Sequence, residues 1–198
     1  MARARFLALG DSYTIGEGVA EHDRWPGQLA RALAGRGLEV DVELIAQSGW
    51  TADELEAAIT RRSPIGPFDF VTLLIGVNNQ YRGMMATEFQ PQFRSLFERA
   101  IALAGGRSGR VVTIGIPDWG VTPFNTQRDR AHVTHEIDAY NGLICSEAAA
   151  RGARFVDIVD LSRADPGAVV ADGLHPTASM YARWVARIVP VAAEVLSG

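Results

Sequence analysis

The sequence predicts an α/β fold in which a mainly parallel, five-stranded sheet is covered by helices on both faces. Three observations carry that prediction. Apolar β-branched runs alternate with helix-period segments along the whole chain. The strand candidates are continuous apolar runs rather than alternating ones, which suits strands buried on both sides. No internal repeat, low-complexity tract or linker divides residues 1–198, so a single domain is expected.

The elements follow in order. Residues 5–9 (RFLAL), 40–46 (VDVELIA), 68–76 (FDFVTLLIG), 110–116 (RVVTIGI) and 153–158 (ARFVDI) read as strands. WPGQLARALAGRG has proline near its start and glycines at its end, the usual polarity of helix punctuation. TADELEAAITRR opens with Thr51 and Glu54 at capping-box spacing and closes on two arginines that suit the C-terminal dipole. TEFQPQFRSLFERAIALAGG sets Phe89, Phe93, Leu96, Phe97, Ala100 and Ile101 on one face and stops at paired glycines. Residues 132–151 and 177–196 supply two more helices; Cys145 in the first reads as a small buried thiol, and Trp184 in the second as core.

Composition narrows the partners. Of 198 residues 47% are hydrophobic and 21% charged, near soluble averages, and the net charge of −4 gives no reason to expect nucleic acid or an anionic membrane. One cysteine excludes an internal disulfide and a cysteine metal cage. MARARFLALGDS is too short in apolar residues for a signal peptide, and no stretch approaches a membrane span, so a cytoplasmic location is expected.

In open α/β sheets ligands bind beyond the carboxyl ends of the strands. The loops there hold the unusual residues: Gly10-Asp11-Ser12, then AQSGWT with Gly49, then IGVNNQYRG with Asn78 and Asn79, and finally ADGLHPT with Asp172 and His175. Each fragment alone reads as turn chemistry. Together they hold what acyl transfer needs: a serine hydroxyl, a histidine to take its proton, a carboxylate to hold the histidine, and donors for an oxyanion. The Ser12 and Gly49 N–H groups and the Asn78 amide are suitable donors.

The set resembles the GDSL-type esterases and lipases of the SGNH hydrolase superfamily, from Gly10 to His175. Gly10-Asp11-Ser12 looks like that family's nucleophile block, Ser48-Gly49 its second block, Gly76-Val77-Asn78-Asn79 its Gly-x-Asn-Asp block, and Asp172-Gly173-Leu174-His175 its Asp-x-x-His block. The resemblance implies a flavodoxin-like three-layer α/β/α sandwich. It also implies catalysis by Ser12, His175 and Asp172, with an oxyanion hole from Ser12, Gly49 and Asn78. Two positions depart from the pattern: Tyr13 replaces the leucine after the serine, and Asn79 replaces an aspartate and removes a charge.

The expected activity is hydrolysis of a small acyl ester, with an O-acetylated carbohydrate or a short-chain lipid as candidate substrates, through an acyl-enzyme. A non-catalytic binding module would have no use for a nucleophile and base, whereas a thioesterase or acyltransferase shares the chemistry. Trp50, Asn79, Tyr81 and Trp119 are candidates for the substrate wall, since aromatics on such loops often line pockets. The loop 117–131 is long enough to suggest function. His132 and His135 have a spacing that could hold a metal, but no carboxylate pattern completes a site, and no metal or organic cofactor is implied.

Overall fold

The computed structural model describes residues 3–198. Its strands are β1 (Ala4–Gly10), β2 (Val40–Ala46), β3 (Phe70–Leu74), β4 (Val111–Ile114) and β5 (Arg154–Val156). They form one five-stranded sheet in the order β2-β1-β3-β4-β5, and every neighbouring pair is parallel. The helices are α1 (Ser12–Ile15), α2 (Trp25–Ala34), α3 (Ala52–Arg62), α4 (Val77–Tyr81), α5 (Ala86–Leu103), α6 (Arg130–Ala150), α7 (Val159–Ala164) and α8 (Ala178–Ser197). Helices α2 and α8 pack on each other, while α5 packs against both α3 and α6.

The strand sequences explain this order. Phe6 to Leu9 and Phe70 to Leu74 are buried without interruption, as central strands covered on both faces require. Strand β2 sits at the edge and exposes Asp41, Val42 and Glu43, two of them charged, which discourages pairing with another chain. Each buried leucine or phenylalanine contributes about 1.5–3 kcal/mol by leaving water.

The helix signals also take physical form. The Thr51 N–H donates to Glu54 Oε2 at 2.9 Å in the capping box of α3. Asp129 Oδ1 accepts from the His132 N–H at 2.7 Å at the start of α6. The Phe89–Phe93–Phe97 stripe is fully buried, and so is Trp184.

The reading of Cys145 as a buried thiol is corrected, because Cys145 is exposed. The buried stripe of α6 runs through Val133, Ile137, Tyr140, Ile144 and Ala148. One residue past Ile144 turns the side chain about 100° away from that stripe.

Chain order reverses between β1 and β3, since β2 lies on one side of β1 and β3 on the other. The loops leaving these strands therefore part at this point and leave a crevice at their carboxyl ends.

Candidate active site

Strand β1 ends at Gly10, and Asp11 turns the chain into α1. Asp11 Oδ1 accepts from the Tyr13 N–H at 3.0 Å, which fixes Ser12 at the first position of the helix. Asp11 is fully buried, and its Oδ2 has no hydrogen-bond partner among the described residues. That burial pushes its carboxyl up to about 7, against the lowering effect of the Tyr13 N–H.

The loop after β2 is bolted to α4. Asn78 Nδ2 donates to the Trp50 carbonyl at 2.9 Å, and Arg82 Nη2 donates to the Gly49 carbonyl at 2.8 Å. Arg82 is itself held by Glu54 Oε2 at 3.3 Å. Gly49 takes φ +84°, a left-handed conformation that a side chain would strain. The N–H groups of Ser12 and Gly49 make no hydrogen bond among the described residues.

The two asparagines part company. Asn78 lines the cleft beside Ser12. Asn79 is 1% exposed, accepts from the Ala52 N–H at 3.0 Å and donates to Gln92 Oε1 at 3.0 Å. It joins the start of α3 to α5, and its uncharged amide supplies an acceptor to the first turn of α3 together with a donor that a carboxylate would lack.

Asp172 and His175 close the site in front of α8. Asp172 Oδ2 lies 2.6 Å from His175 Nδ1, while Oδ1 accepts the N–H groups of Leu174 at 2.8 Å and His175 at 3.0 Å. Burial raises the Asp172 carboxyl, and hydrogen bonds from the His175 ring and these N–H groups outweigh it, so the group lies below the ordinary range. A carboxylate on Nδ1 keeps a proton there and leaves Nε2 as the acceptor. The His175 ring rests on Tyr13, with centroids 5.5 Å apart.

A cleft of about 120 Å³ opens at Ser12, walled by Tyr13, Val77, Asn78, Tyr81, Trp119, Phe124 and Leu174. Tyr81 and Trp119 meet edge to face at 5.2 Å, and Phe124 stands 6.1 Å from each. The Trp119 indole donates to Gln80 Oε1 at 2.6 Å, and the Arg128 guanidinium lies 4.6 Å from the Tyr81 ring centre. Trp50 and Asn79 are not among the lining residues.

Sequence reasoning did not single out Val77, Leu174 or Phe124 as walls, nor Arg82 as a partner of Gly49. Phe124 had a usable signal, its place in the long 117–131 loop. Arg82 had none, because its partner lies 33 residues away. Among the described residues no group of three or more His, Cys, Asp or Glu could hold a metal ion, and His132 pairs with Glu136 at 3.3 Å.

Ser12 leaves β1 beside Tyr13, the His175 ring held by Asp172 rests on that Tyr13, and Ser12 Oγ makes no hydrogen bond to His175 among the described residues; a parallel sheet with these groups on its strand-exit loops defines a class of α/β proteins. The family model of the GDSL-like lipase/acylhydrolase family matches residues 8–183, and the chain belongs to that family. TesA is similar in structure over 97% of this chain and 99% of its own, at 22% identity and a TM-score of 0.77. The lipase/acylhydrolase from Enterococcus faecalis matches over 96% of both chains, at 22% identity and a TM-score of 0.71. A variant of the acetyl xylan esterase Axe2 from Geobacillus stearothermophilus covers 96% of this chain and 94% of its own, at 19% identity and a TM-score of 0.73. These likenesses show a shared fold. Comparison with curated protein sequences finds no match. No helix among the described residues is long and apolar enough to cross a membrane.

Proposed function

We propose that the chain is a serine esterase that hydrolyses a small acyl ester through an acyl-enzyme. Ser12 Oγ attacks the ester carbonyl while His175 Nε2 takes its proton, and Asp172 stabilises the imidazolium that forms. The Ser12 and Gly49 N–H groups and the Asn78 amide receive the developing oxyanion. His175 then protonates the leaving alcohol and activates water for the second half of the reaction.

The observation that carries this reading is the 2.6 Å contact between Asp172 and His175, set at the strand-exit end where Ser12 opens onto a cleft. Membership of a lipase and acylhydrolase family supports the ester chemistry. The wall supports a short acyl group, because the cleft at Ser12 is only about 120 Å³ and is closed mainly by the apolar side chains of Val77, Tyr81, Trp119, Phe124 and Leu174.

The test is hydrolysis of p-nitrophenyl esters from acetyl to octanoyl by the native chain and by Ser12→Ala. Turnover should peak near butyryl, fall toward octanoyl, and drop by about 10³-fold or more in the variant. Equal rates in both proteins would remove Ser12 from the mechanism.

A further inference from the structure

Glu17 follows the α1 turn and has no part in the mechanism above, yet it is held at the reacting centre. Its carboxylate accepts a hydrogen bond from the Ser48 hydroxyl. Its Oε2 stands 3.8 Å from His175 Nε2, the ring nitrogen that Asp172 leaves free. Gly16 at φ +69° and Gly18 at φ +80° flank it in left-handed backbone. A Cβ at either would come within 2.5 Å of Arg24 Cγ or Val170 Cγ2. The Glu17 N–H donates to the Ser12 carbonyl at 3.1 Å, so the serine and the carboxylate share one rigid turn.

The 3.8 Å separation is too long for a direct hydrogen bond and suits an oxygen lying between the two groups. An oxygen about 2.8 Å from each would see them at roughly a right angle, close to the angle between the two O–H bonds of water. We propose that Glu17 is a further catalytic residue, the second hydrogen-bond acceptor for the water that releases the acyl group, and that it favours hydrolysis over transfer to an alcohol. The inference rests on the esterase reading.

The step balances with water alone. Water oxygen bonds to the acyl carbon as one proton passes to His175 Nε2, while the other stays on that oxygen, hydrogen-bonded to Glu17. The carbon–Ser12 bond then breaks, His175 returns its proton to Ser12 Oγ, and the carboxylic acid leaves. An alcohol has one O–H, so its carbon would face the Glu17 carboxylate and leave that charge with the Ser48 hydroxyl alone. Wrong acceptors are disfavoured by the loss of such a donor.

The experiment runs p-nitrophenyl butyrate in buffer containing methanol. p-Nitrophenol reports acylation, and the ratio of butyric acid to methyl butyrate reports the fate of the acyl-enzyme. Glu17→Ala should keep the p-nitrophenol burst and lower that ratio about tenfold, the worth of one charge-assisted hydrogen bond. Ser48→Ala, which frees the Glu17 carboxylate, should shift the ratio the same way by less. An unchanged ratio in Glu17→Ala, with or without a slower burst, overturns the proposal. If the native chain releases no p-nitrophenol that depends on Ser12, the esterase reading fails and the role of Glu17 with it; that failure shows in the native protein rather than in the variant.

Discussion

Asp11 carries a cost that its position explains. It sits fully buried one residue before Ser12, and its carboxyl is pushed up to about 7 while an unfolded aspartate lies near 3.8. Between those values the folded state binds more protons than the unfolded one, so this group makes stability fall as pH rises from about 4 to about 7. Asp11→Asn keeps an acceptor for the Tyr13 N–H and removes the charge. Its Tm relative to the native chain should therefore be more favourable at pH 8 than at pH 4, as thermal melts at the two values will show; an offset that is equal or reversed would contradict this. At this scale the Asp172–His175 pair was legible because its partners lie within one short loop. The burial of Asn79 was not legible, since its partners Ala52 and Gln92 come from other elements. Glu17 was equally hidden, with Ser48 31 residues away and His175 further still.

At the scale of elements, the proposed oxyanion donors depend on a joint between α4 and the loop after β2. Arg82 and Asn78 both bond carbonyls of that loop, and Glu54 in the α3 capping box holds Arg82 in place. Removing the guanidinium frees the Gly49 peptide while leaving the walls of the acyl cleft intact. Arg82→Ala should lower kcat about tenfold with KM nearly unchanged, and Arg82→Lys should recover part of the loss; the figure is that of one charged hydrogen bond acting through position. A rise in KM at constant kcat would place Arg82 in substrate binding instead. The longer helices and all five strands were readable from the sequence, because each spans enough residues for a periodicity or an apolar run to emerge. Helices α1, α4 and α7, of four, five and six residues, were not. None is long enough to display a helical stripe.

For the whole molecule, alternation of strand and helix was enough to predict a parallel sheet covered on both sides. The order β2-β1-β3-β4-β5 was not contained in that alternation. It was implied only by the family resemblance, since continuous apolar runs say that a strand is central without saying which strand lies beside it. That order matters because it sets Ser12, Gly49 and Asn78 on neighbouring loops around the reversal between β1 and β3, while the segment before α8 brings His175 across to them. On the proposed reading this arrangement makes Ser12 a nucleophile activated by His175. The most direct test is labelling with a serine-reactive phosphonate followed by peptide mass analysis of the native chain and His175→Ala. One adduct is expected, on the peptide containing Ser12, formed at least about 10³-fold more slowly without the histidine. An adduct on another residue, or labelling of Ser12 at the same rate in both proteins, would contradict it.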